Sequence, residues 1–66
     1  MKFYTLYYPQ TRTFRADDGS ETTNIQNATW FLASDKAWSA RDQVARVVDK
    51  QIVVARHELN QENFFQ

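Results

Sequence analysis

Ser34-Asp35-Lys36-Ala37-Trp38-Ser39-Ala40-Arg41-Asp42-Gln43-Val44-Ala45-Arg46-Val47-Val48 is the stretch whose periodicity decides the fold. Ala37, Ala40, Val44, Val47 and Val48 recur at i, i+3, i+7, i+10 and i+11. At about 100° per residue they share one arc, the pattern of an amphipathic helix laid on a core. Ser34 or Asp35 is placed to cap it, by accepting a hydrogen bond from a free backbone N–H. Asp35, Asp42, Arg46, Asp49 and Lys50 fall on the opposite, solvated side, with Asp42 four residues ahead of Arg46 in the favourable order for an ion pair. The spacing predicts a helix that ends near Lys50.

Outward from this helix the chain reads as strands. Ile52-Val53-Val54-Ala55 is a β-branched run suited to a central strand that is apolar on both faces. Residues 59–66 form a polar tail, mobile or docked on a partner, that ends in Phe64-Phe65. On the other side, Thr29 to Ala33 has strand composition, with a short helix over Asn24 to Ala33 as the alternative. Glu21 to Asn27 is polar and carries no clear assignment. Asp17-Asp18-Gly19-Ser20 is the strongest turn signal, because Gly19 supplies positive φ. Thr11 to Ala16 and Lys2 to Tyr8 read as a hairpin turned at Pro9-Gln10, where proline fixes φ and cannot donate to a ladder. Lys2 to Tyr8 carries bulk on both alternating sets, either because both faces are covered or because one aromatic face serves a partner.

The predicted order is β-β-(β)-α-β: a small α+β domain, residues 1–66, with a largely antiparallel sheet of three to four strands and one helix across it. Sixty-six residues allow one core. A domain of this size buries roughly 60% of the surface its unfolded chain exposes, so its stability margin is narrow. Cysteine is absent, which removes disulfides and thiolate metal sites. Ten aromatic residues (two Trp, three Tyr, five Phe) are left to supply the core or a contact surface. Eight basic residues balance eight acidic ones, so no long-range field gathers phosphates or acidic lipids. No apolar run approaches the roughly 20 residues that span a bilayer. The N-terminal Met-Lys-Phe-Tyr-Thr-Leu-Tyr-Tyr lacks a small-residue cleavage site, so it is expected to be a strand and the protein cytoplasmic.

Chemistry-bearing motifs are sparse. The lone Gly19 rules out a phosphate-binding glycine loop, and a Cys nucleophile is impossible. His57, the one imidazole, is expected to be a partly exposed strand residue, because Arg56 and Glu58 point to the other face and no positioned partner is evident. Asp17, Asp18 and Glu21 supply too few ligands for a calcium loop. Asn27-Ala28-Thr29 matches the glycosylation acceptor pattern, but no secretory signal accompanies it. No catalytic residue, metal or cofactor is expected.

What remains is surface. Trp38 lies outside the apolar arc of the helix, beside Arg41, so both are candidates for protein contact together with Tyr4, Tyr8, Phe64 and Phe65. The expected function is therefore a non-enzymatic protein-interaction module: an inhibitor, adaptor or regulatory subunit. Many phage and mobile-element accessory proteins share this size and character, an analogy without a motif behind it. The alternative is a single-stranded nucleic-acid binder, in which strand aromatics stack bases and Arg12, Arg15 and Arg56 engage phosphates. A small self-associating structural subunit, a homo-oligomer, is the third reading.

Overall fold

A computed structural model describes residues 1–58. Among them the chain forms β1 (Lys2–Tyr8), β2 (Thr13–Arg15), β3 (Glu21–Thr22), α1 (Ser34–Ala45) and β4 (Val53–Glu58). The four strands make one antiparallel sheet of order β3-β2-β1-β4. The fold class is thus α+β, a small antiparallel sheet with one helix.

The aromatic bulk of β1 on both sides is explained by its central place. β1 pairs with β4 from Lys2 opposite Glu58 to Tyr7 opposite Val53. On its other edge, Tyr7 and Tyr8 pair with Phe14 and Thr13, while Tyr4 exchanges two 2.8 Å backbone hydrogen bonds with Phe31. The central strand is therefore β1. The run at Ile52–Ala55 opens an edge strand instead, and the apolar character that suggested a central position reflects the coverage of Ile52, which is buried.

Alternation divides the sheet into two faces. Even positions of β1 place Tyr4, Leu6 and Tyr8 with Val54 and Arg56. Leu6, Tyr8, Ile52 and Ala37 are all 2% exposed or less. The helix contacts β1 and β4, Arg41 Nε donates to the Ile52 carbonyl at 3.0 Å, and Lys50 lies 5.5 Å from the Tyr8 ring centre. The helix and the loop after it accordingly cover the even face. Each fully buried large apolar side chain contributes about 1.5–3 kcal/mol relative to exposure.

The helix begins and ends differently from the periodicity alone. Its N-cap is Ala33, which provides no side-chain hydrogen bond; Ser34 is already helical and Asp35 sits in the first turn. Asp35 can favour that end only through the helix dipole. The helix stops at Ala45, where the Arg46 N–H donates to Gln43 and Val44 carbonyls. Val47 and Val48 both donate to Val44 O, so the last turn tightens and the arc is broken. Val47 consequently points outward, 80% exposed, and is not a core residue. Poor helix propensity of the β-branched pair favours this early stop, which frees Lys50 to reach the sheet. Asp42 pairs with Arg41 at 3.3 Å, and not with Arg46.

Turns also shorten the predicted strands. Arg12 N–H donates to Tyr8 O at 2.9 Å, with Arg12 at φ 57°, so Thr11 and Arg12 belong to the hairpin loop and β2 starts at Thr13. The Asp17–Ser20 turn is closed by Ala16 N–H to Ser20 O at 2.8 Å and Gly19 N–H to Ala16 O at 3.0 Å, with Gly19 at φ 87°. It leads into β3, within the polar stretch that carried no assignment. Its neighbour, Asn24 to Ala33, holds a 3₁₀ turn at Ile25–Asn27 capped by Asn24 Oδ1, followed by the single bridge at Phe31 in place of a full strand.

Candidate functional site

The odd face of the sheet is built from aromatic rings. Phe3 stacks on Trp30 with ring centres 3.9 Å apart and on His57 at 4.8 Å. Phe14 meets the His57 ring edge-on at 5.9 Å and Tyr7 at 5.2 Å. Beneath these rings Thr5 is fully buried, its Oγ1 2.9 Å from His57 Nε2. Register places the set: Phe3 faces His57, and Tyr7 faces Phe14, across neighbouring strands. Aromatic pairs of this kind add about 0.5–1.5 kcal/mol beyond the area they bury. His57 is thus a packing residue, half-buried, and burial holds its pKa below 6.5. Its neighbours Arg56 and Glu58 lie on the other face and pair with each other at 3.3 Å.

Trp30 is the pivot of this face. Its Nε1–H donates to Ile25 O at 2.8 Å, and Phe3 covers one side of the ring. The neighbouring Thr29 is anchored twice: its N–H donates to Arg15 O at 3.0 Å, and its hydroxyl donates to Asp17 Oδ1. An open cavity of about 440 Å³ beside the ring is lined by Asp17, Gln26, Ala28, Thr29 and Trp30.

A second polar cluster ties the β1–β2 loop and the loop after α1 to strands β2 and β3 on the even face. Glu21 Oε1 accepts from Thr11 and Thr13 at 2.8 and 2.6 Å, and Glu21 Oε2 accepts from Lys50 at 2.5 Å. Lys50 foremost, then the two hydroxyls, hold the Glu21 carboxyl at a pKa of about 2. Asp18 is lowered from its ordinary value mainly by hydrogen bonds from Ser20.

The sequence-derived contact residues fare unequally. Trp38 is 53% exposed on α1, away from the buried Ala37. Arg41 is half-buried and spends its Nε on Ile52 O, so its guanidinium braces the helix against β4. Tyr4 is half-buried in the central strand. Tyr8, at 2% exposure, is a core residue whose hydroxyl accepts from Arg15 at 3.2 Å, and it offers no contact surface. Phe64 and Phe65, with the rest of the tail 59–66, lie outside the described residues.

The arginines of the nucleic-acid reading share a face with only part of the aromatic set: Arg15 and Arg56 lie on the same side as Tyr4 and Tyr8. Phe14, Tyr7 and Trp30 line the odd face, opposite Arg15 and Arg56. Arg12 is exposed at the hairpin tip. What the sequence reading missed is the pairing of Trp30 with Asp17. The residues are 13 positions apart by number, and only the β2–β3 turn and the Thr29 bonds bring them to one cavity.

Among the described residues, no group of three or more His, Asp or Glu could hold a metal ion, and no helix is long and apolar enough to cross a membrane. No family model matches the chain, and no curated protein or solved structure shows significant similarity to it.

Proposed function

We propose that this chain is a non-enzymatic protein-interaction module, an inhibitor, adaptor or regulatory subunit, with Trp38 at the centre of a contact surface. The single observation behind this reading is the contrast between Trp38 and the other aromatics. Phe3 and Tyr8 are consumed by packing, while Trp38 presents half of a large amphipathic side chain to solvent from a helix. Tryptophan is among the residue types most enriched in interface hot spots, and truncating one that is buried on binding costs about 2 kcal/mol or more.

The test is affinity capture of the tagged chain from its native host, with and without nuclease, repeated with Trp38→Ala. A protein partner recovered in both halves by the parent chain and lost with Trp38→Ala, at unchanged melting temperature, supports the proposal. Recovery only in the untreated half would transfer the function to nucleic acid. Capture of nothing but further copies of the chain, with sedimentation showing an oligomer, would favour the structural-subunit reading.

A further inference from the structure

We infer that the cavity between Trp30 and Asp17 is a binding site for an arginine side chain presented by a partner protein. The inference rests on the interaction-module reading and adds a second contact point to it. Trp30 reaches the cavity with its position already fixed, because Phe3 holds one ring face and the Ile25 carbonyl holds Nε1–H. Trp30 lines the cavity together with Asp17, Gln26, Ala28 and Thr29. Asp17 is equally preset: Thr29 donates to its Oδ1, and Thr29 is itself bonded to β2 through Arg15 O. A carboxylate and an indole that line one cavity are therefore each held in place before any ligand arrives, which lowers the ordering cost of binding.

Charge selects the ligand. Among the described residues Asp17 forms no ion pair, and the neighbouring Asp18 gives its Oδ1 to Ser20. The nearest cation in sequence, Arg15, is occupied elsewhere: its Nη1 bonds Tyr8 Oη at 3.2 Å, and its guanidinium packs under Gly19. The third acidic residue of this region, Glu21, is already neutralised by Lys50. An unpaired carboxylate beside an indole thus calls for a cation from outside. Guanidinium suits it better than ammonium, because its plane stacks on an indole while its N–H groups reach a carboxylate oxygen. Gln26, on the same rim, offers an amide oxygen to a remaining donor.

The experiment uses the full chain carrying Trp38→Phe, so that Trp30 is the sole tryptophan, and reads its fluorescence. Two peptides are titrated: acetyl-Gly-Arg-Gly-amide, and the same peptide with citrulline, which keeps the planar shape and loses the charge. A saturable change with the arginine peptide, at least about fivefold tighter than with citrulline, is the expected result. Asp17→Asn should erase that discrimination without shifting the melting temperature, since asparagine still accepts from Thr29. Equal responses to the two peptides, no saturable response, or discrimination that survives Asp17→Asn would overturn the inference. The peptide comparison alone decides the matter if Asp17→Asn lowers stability. Equal responses to the two peptides with Asp17 intact, and capture still dependent on Trp38, would remove this site and leave the Trp38 surface standing. Intact discrimination with capture indifferent to Trp38→Ala would do the reverse.

Discussion

Arg12→Gly should make the protein more stable. Arg12 closes the β1–β2 hairpin at φ 57°, a left-handed conformation that brings its N–H to Tyr8 O. For a residue with a Cβ this conformation costs about 1–2 kcal/mol. Glycine removes that strain but gives the unfolded chain extra freedom worth about 0.5–1 kcal/mol. The net gain is about 0.5–1 kcal/mol. The Arg12 side chain is exposed and makes no hydrogen bond or ion pair among the described residues, so nothing else is lost. A domain of this length gains about 4–8 °C per kcal/mol, so the melting temperature should rise by roughly 2–8 °C in a far-UV circular dichroism melt. Arg12→Asn should fall between parent and glycine, and Arg12→Val should lower stability by about 1 kcal/mol or more, because a β-branched residue resists positive φ. Urea unfolding should move the midpoint without changing the slope. A series in which glycine fails to stabilise and valine is neutral would refute a left-handed residue at this hairpin.

Three further outcomes follow from the packing. Phe3→Ala should cost about 3–5 kcal/mol, most of the margin of a 66-residue chain, and equilibrium unfolding would show the denaturant midpoint moved most of the way to zero; Phe3→Leu should be milder. Glu21 has its pKa lowered from 4.5 to about 2, so its stabilising contribution is complete above pH 4.5 and is lost as pH falls toward 2. Denaturant midpoints across that window should slope in the parent and flatten in Glu21→Gln. His57 is depressed below 6.5 by burial, so the unfolded chain takes up the proton first. Its contribution is full above pH 6.5 and declines as pH falls through the folded value, and His57→Gln should remove that component from a pH series of melts.

The one-helix, antiparallel α+β class could be read directly from the chain, because 3.6-residue and two-residue periodicities are local consequences of backbone geometry. Ala37 as core, Gly19 in a turn and Trp38 outside the apolar arc all followed from spacing alone. Strand order was a different matter. Both Lys2–Tyr8 and Ile52–Ala55 have the composition of a central strand, and only the pairing of β1 with β2 on one edge and β4 on the other makes β1 central and leaves β4 at the edge. Val47 continues the helical arc in sequence yet faces solvent, since the chain leaves the helix to carry Lys50 to Glu21. Tyr8 and Trp38 are indistinguishable as contact candidates until burial separates them. The cavity between Asp17 and Trp30 likewise exists only after the β2–β3 turn and the Phe31 bridge fold two segments onto one sheet. Local propensity sets which elements form, whereas neighbours in space, brought together by long-range hydrogen bonds and ring packing, decide which side chains remain available to a partner.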